Sequence, residues 1–268
     1  MKVKSKLPWI YMAVIMIITY IPIVLTVVYS FNESKITSIW GGFSLSWYEE
    51  LFRDRDLAEA LRNSLVLAGL SCFSAVVIGT TGALGMQRLK NRLNGVVSYV
   101  SMLPIMIPEI ILGMVFLASF SLMNLPFGML TLVIAHTTFC VPYVFMTVRA
   151  RLAGMDHAVE EAARDLGATG VRTFFDITLP AITPAIWSGV LLSFAMSFDD
   201  VVISIFVTGA TVNTLPIKIY TRMKTGVTPE INALATVLLV ATVAILLTAG
   251  ALGRTKVRTG KQEEETRL

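Results

Sequence analysis

The chain has 268 residues, 55% of them hydrophobic and 15% charged, and a mean hydropathy of +0.72. Soluble domains carry roughly 25% charged residues, so there is too little charge here to cover a water-facing surface. The net charge of +4 is spread between apolar runs, which argues for a membrane-topology signal and against a nucleic-acid patch.

A bilayer core about 30 Å thick takes roughly 20 apolar residues as helix. Six runs meet that need, at about 9–31, 64–86, 96–120, 128–148, 184–208 and 231–252. The expectation is a single all-α integral membrane domain over 1–268 with six transmembrane helices. The first run follows Lys2, Lys4 and Lys6 but exceeds the usual signal-peptide core, and no small-residue cleavage pattern follows it. It reads as a retained first helix. In the next segment, 32–63, residues 46–52 with Trp47 and Tyr48 read as a short amphipathic helix at the outer interface, where such rings prefer to sit. Cys72 and Cys140 fall inside apolar runs and read as small buried hydrophobes, since no CxxC or neighbouring histidine suggests a metal site or disulfide.

The third run carries Glu109 about 14 residues in, roughly 20 Å deep at helical rise. Pro104 and Pro108 precede it, so a kinked or broken helix is expected, and such breaks are tolerated where they line a cavity. The fourth run holds His136. The other histidine, His157, follows in a loop, and no H-E-x-x-H pattern joins them. A membrane-embedded enzyme is therefore disfavoured, and His136 reads as a satisfied core or interface histidine.

The loop at about 149–183 is longer than a simple connection needs. Asp156 is placed to cap a helix, and Glu161 and Asp165 share one face of it. Ala162, Ala163 and Gly167 give that helix a smooth face, and Gly167 or Gly170 can end it in a left-handed cap. A second helical stretch is expected to stop at Leu179-Pro180, before the fifth span. From the residues alone, both a solvated surface hairpin and a docking element remain open.

Asp199 and Asp200 lie in the fifth run, in its outer half. A charge at the centre of a span costs at least about 2.5–3.5 kcal/mol, and neither the third nor the fifth run supplies a Lys or Arg. Two readings stay open for these acids. One is structural: an acid caps a broken helix, and another pairs with an arginine of a partner subunit. The other is an acidic lining that receives a cation, with Trp187, Phe194, Phe198 and Tyr220 as aromatic faces for an alkylammonium. Orientation follows from the basic residues. With the N-terminus inside, 15 of the 22 lysines and arginines are cytoplasmic, and Lys35, Arg53, Arg55, Arg62, Lys218, Arg222 and Lys224 are outside. Six spans then leave both termini in the cytoplasm.

Glu161-Ala162-Ala163, Gly167, Ile177, Leu179 and Pro180 resemble, at matching spacing, the EAA loop of membrane subunits of binding-protein-dependent ABC importers. That resemblance implies a coupling helix that docks in a groove of an ATPase subunit. This sequence has no phosphate-binding G-x-x-x-x-G-K-[ST] motif, so ATP and Mg are expected at a partner ATPase dimer and no cofactor on this chain. The docking loop also counts against a free-standing channel. Phe198-Asp199-Asp200 through Ser204, Leu215 through Tyr220 and Gly226 through Thr236 are similar to the permeases of spermidine/putrescine ABC transporters. The similarity extends from the first span to the sixth. It implies the type I importer fold in a bacterial inner membrane, a second homologous permease and an extracytoplasmic polyamine-binding protein. It also implies a substrate path at Glu109, Asp199 and Asp200. Membrane lipid is the other expected partner, and nucleic acid is not one. An importer of another solute, such as iron or phosphonate, is the alternative, although the carboxylates favour a cation.

Overall fold

The computed structural model describes residues 7–35, 39–86, 91–224, 226 and 228–244. The N-terminal lysines, the basic turn at 87–90 and everything from 245 onward, including the end of the sixth expected span, lie outside the described residues. Among the described residues the chain is helical, and the only strand-like pairing is an isolated bridge between Asn32 and Phe43. Four helices are long and apolar enough to cross a membrane, or five if one sharply bent pair counts as a single span. The chain forms two compact units, Met1–Arg55 with Thr221–Leu268, and Asp56–Tyr220.

In the first unit, α1 (Leu7–Tyr29) is apolar along its whole length and none of it is buried. Lipid is a good solvent for such a helix, because its backbone bonds are all internal. The chain then folds back through a compact corner built on Asn32, whose side chain binds Ile39 C=O at 2.8 Å and receives the Gly41 N–H at 2.8 Å. The expected amphipathic helix forms as α2 (Ser46–Arg53), with Trp47 turned into the fold. It is buried, and its indole N–H donates to Asn32 C=O at 2.7 Å. The free carbonyl inside the corner draws the indole inward, while Phe52 faces out, 78% exposed. The later part of this unit contains α12 (Pro229–Ala244), which is shorter than a span. Arg222 bridges Asp54, after α2, and Glu230, at the start of α12.

The second unit is organised around α6 (Met129–Ala153), with half of its apolar stretch buried. Lipid tails offer no hydrophobic drive for helix association, so close backbone approach and packing have to supply it. The sequence provides small residues for that purpose. On α3 (Arg55–Met86), Ala68, Cys72, Ala75, Gly79 and Ala83 form one buried face. A Cβ on Gly79 would come within 2.8 Å of Val144 Cβ and 3.0 Å of the Phe145 N on α6. Cys72 and Cys140 are buried and free, and their thiols approach Val190 C=O and Ser193 C=O at 3.3 and 3.4 Å.

The third run breaks as expected. α4 (Asn91–Met106) and α5 (Glu109–Leu122) meet at a bend of 102°. Pro108 makes the break: its backbone is extended, whereas Pro104 lies within α4. The fifth run departs from expectation at both ends. The helix does not stop at Leu179-Pro180. It runs from α8 (Gly170–Thr173) through a π-helical turn at Phe174–Thr178 into α9 (Leu179–Asp199). Pro180 has no N–H to give, and the wider turn before it lets the helix continue without that bond. At the far end, α9 breaks at Asp200 and restarts as α10 (Val202–Val207), followed by α11 (Leu215–Lys224).

Candidate functional site

The two breaks come together. α5 and α10 pack against each other, and Phe206 lies so close to α5 that a Cβ on Gly113 would sit 2.4 Å from its ring. Where the breaks meet, a cleft of about 370 Å³ is lined by Glu109, Phe139, Ala195, Met196, Asp199, Asp200, Val201 and Val202. All three membrane-depth carboxylates foreseen from the sequence therefore line one cavity.

Their environments differ. Asp200 is turned inward, with its side chain only 6% exposed. It accepts from the Ser204 N–H and hydroxyl, each at 2.8 Å, and from the Ile203 N–H at 3.2 Å. Those amides are the free donors of the new helix, so Asp200 caps α10 and meets its positive end. His136, fully buried on α6, stands 3.4 Å from the same carboxylate. Its ring nitrogens reach Ser197 Oγ at 2.8 Å and Ser204 Oγ at 3.0 Å. Asp199 and Glu109 are exposed, and neither has a partner among the described residues. Glu109 opens α5, where the helix N-terminus favours its charge. The cleft thus offers two free carboxylates and a third that is committed to the backbone.

The expected aromatics do not join them. Phe198 stacks on Phe194, 5.9 Å between centroids. Trp187 is 62% exposed on α9, three turns before Asp199, and Tyr220 sits on α11. The ring that lines the cleft is Phe139, edge-on to His136 at 5.4 Å. His136 is the satisfied core histidine expected, while reading along the sequence missed Phe139 and the two serines, Ser197 and Ser204, that partner it. The available sign was Ser204 four residues after an aspartate at a helix start, a capping arrangement.

The loop at 149–183 folds as a helical hairpin. Asp156 caps α7 (His157–Asp165) through the Ala158 N–H at 2.9 Å. Gly167, at φ +87°, ends it: its N–H bonds Arg164 C=O and the Ala168 N–H bonds Ala163 C=O. That pair of bonds is a Schellman closure, and the positive φ is where glycine is favoured. Thr169 caps α8 through the Arg172 N–H. Thr178 donates to Glu160 Oε1 at 2.6 Å and fastens α7 to the π turn. Glu161 and Ala162 face solvent, Ala163 and Ile177 are half-buried, and Leu179 packs on the core. Pro180 is exposed, and Leu166 is 90% exposed.

Residues 75–254 match the family model described as binding-protein-dependent transport system inner membrane component, and the chain belongs to that family of multi-pass membrane proteins. Among curated relatives, it is 40% identical to the spermidine/putrescine transport system permease protein PotC of Haemophilus influenzae, over 88% of this chain and 92% of that one. It is 42% identical to the putrescine transport system permease protein PotI of Escherichia coli K12, over 82% and 81%. Its fold matches a chain of a bacterial ABC transporter that imports the acidic polysaccharide alginate, with a TM-score of 0.71 at 12% identity and coverage of 95% and 98%.

Proposed function

We propose that this chain is the permease subunit of an ATP-driven importer that carries polyamines, spermidine or putrescine, into the cytoplasm. The observation that carries the substrate class is the pair of free carboxylates, Glu109 and Asp199, in one cleft beside Phe139. An ammonium group leaving water loses hydration that only opposite charge and hydrogen-bond acceptors can replace, and these acids supply both. The relatives that share about 40% of the sequence are polyamine permeases, which points the same way.

The finer features follow from this reading. The permease is one membrane domain with six spans and both termini in the cytoplasm. The hairpin around Glu161, Ala162, Ala163 and Gly167 docks on an ATPase dimer, which binds ATP and Mg and hydrolyses the nucleotide. A second homologous permease completes the pathway, and an extracytoplasmic polyamine-binding protein delivers the cation. Ile177, Leu179 and Pro180 join the hairpin to the fifth span. Phe198, Trp187 and Tyr220 lie outside the cleft lining and are assigned to packing or to other stages of the path.

The test is uptake of radiolabelled spermidine and putrescine by cells that lack other polyamine transporters and express this chain with its neighbouring subunits. Removing both free charges, with Glu109→Gln and Asp199→Asn, is expected to lower ATP-dependent uptake at least about tenfold, since each lost ion contact is worth over 1 kcal/mol at low dielectric. Uptake of neither amine by an intact assembled complex would move the substrate to another solute.

A further inference from the structure

Asp200 lines the cleft but is committed to the first turn of α10, and that arrangement is braced from another helix. His136 on α6 reaches across to both sides of the break between α9 and α10: to Ser197, in the last turn of α9, and to Ser204, in the first turn of α10. The hydrogens can be assigned. Ser204 has one hydroxyl hydrogen and gives it to Asp200 Oδ2 at 2.8 Å. The His136 Nε2 that faces Ser204 Oγ at 3.0 Å must then be the donor. In the neutral ring, Nδ1 accepts from the Ser197 hydroxyl at 2.8 Å. The result is a directed chain, Ser197 to His136 to Ser204 to Asp200, in which every hydrogen is used.

We infer that His136 is the positioning residue of the acidic cleft: through Ser204 it holds Asp200 on the N-terminus of α10, and so fixes the Val201–Val202 wall against which Asp199 and Glu109 receive the cation. The inference rests on the cation-path reading above. Nε2 carries the function, because it faces the carboxylate and its serine, while Nδ1 secures only the α9 side. If the Nε2 contact is lost, α10 keeps its sequence but loses the anchor of its cap. With Asp200 less firmly held there, the positive end of α10 would be less well neutralised and would oppose a cation in the cleft more strongly.

Two near-isosteres separate the ring nitrogens. Glutamine places its amide where Nε2 lies, and asparagine places its amide where Nδ1 lies. His136→Asn and His136→Gln would be made in the full chain, co-expressed with its transporter subunits and purified as the complex. Amide hydrogen exchange across Val201–Val207 is the first readout, and it does not depend on any substrate. His136→Asn is expected to speed that exchange about tenfold, the effect of losing roughly one buried hydrogen bond. His136→Gln is expected to leave it near the native rate. Putrescine uptake in proteoliposomes is the second readout: KM should rise about tenfold for His136→Asn with Vmax within about twofold, and be rescued by His136→Gln. Equal behaviour of the two variants in exchange, or loss confined to the yield of folded complex, overturns the inference and leaves His136 a packing residue. If the unaltered complex imports no polyamine, the substrate reading falls, and the exchange contrast still decides the role of His136.

Discussion

Adjacent carboxylates, Asp199 and Asp200, have opposite surroundings. One is exposed and unpartnered among the described residues, and the other is bound to two backbone amides, a hydroxyl and the neighbourhood of a buried imidazole. Asp200→Ala is therefore expected to destabilise the protein by about 2–4 kcal/mol, from a lost cap plus buried donors left without an acceptor. Asp199→Asn should leave the thermal midpoint unchanged while weakening uptake. Thermal unfolding of the two purified variants checks this, and equal midpoints would refute the division of labour. That acids gather at this point was legible in the sequence, because a charge in an apolar run is conspicuous. Which aspartate turns inward was not legible, because it depends on where α10 restarts and on His136, which is remote in sequence and reaches Ser204 only in the folded unit.

Helix breaks set the scale above the residue. The α4–α5 bend was foreseeable because Pro108 both lacks an N–H and holds an extended backbone. The α9–α10 break was not, since no proline or glycine marks it and a side-chain cap substitutes. The π turn also escaped, because its cause is Pro180 several residues further along. Between the two broken helices, Gly113→Ala would drive a methyl into the Phe206 ring. The expected cost is about 1–3 kcal/mol for a strained small-to-large change, read as a lower thermal midpoint, and a Phe206→Leu second change should recover part of it. In the first unit, Arg222 shows how an ion triad ties corners. Its burial opposes the charge, but the Asp54 hydrogen bond and the charges of Glu230 and Asp54 outweigh that and raise its pKa above the ordinary arginine value. A raised folded-state pKa means the stabilisation is complete below the unfolded value and is lost only as pH climbs through the raised one. The triad should thus contribute evenly across neutral and mildly alkaline pH. Arg222→Lys, which cannot fork to two carboxylates, should cost roughly 2 kcal/mol, between the exposed and buried limits. A flat melting temperature on that substitution would refute the role of the fork.

At the scale of the whole molecule, apolar length and basic-residue bias made the membrane class and the number of long runs readable before any geometry. The count is four or five among the described helices because α12 ends, as described, short of the last run's end, and because the bent α4–α5 pair counts as a span only when its halves are taken together. Orientation is testable with single cysteines, against a low background because Cys72 and Cys140 are buried. A cysteine at Leu166 should react with a membrane-impermeant maleimide only from the cytoplasmic side, and one at Phe43 only from outside. The reverse pattern would invert the topology. The helical run Gly170–Asp199 has a further consequence. Its 30 residues make a strut about 45 Å long, so a tilt of about 10° at the hairpin end sweeps the Asp199 end through about 8 Å. For the coupling proposed above, no relay of side-chain rearrangements is needed to join the two ends, because the axis of the strut would itself be the transmission. Such a part must also keep its phase. One alanine inserted midway, between Gly189 and Val190, would swing the Asp199 end by about 100° about that axis and advance it about 1.5 Å. Under the proposed docking, the hairpin would still reach its ATPase, but its tilt would no longer carry Asp199 to the same face of the cleft.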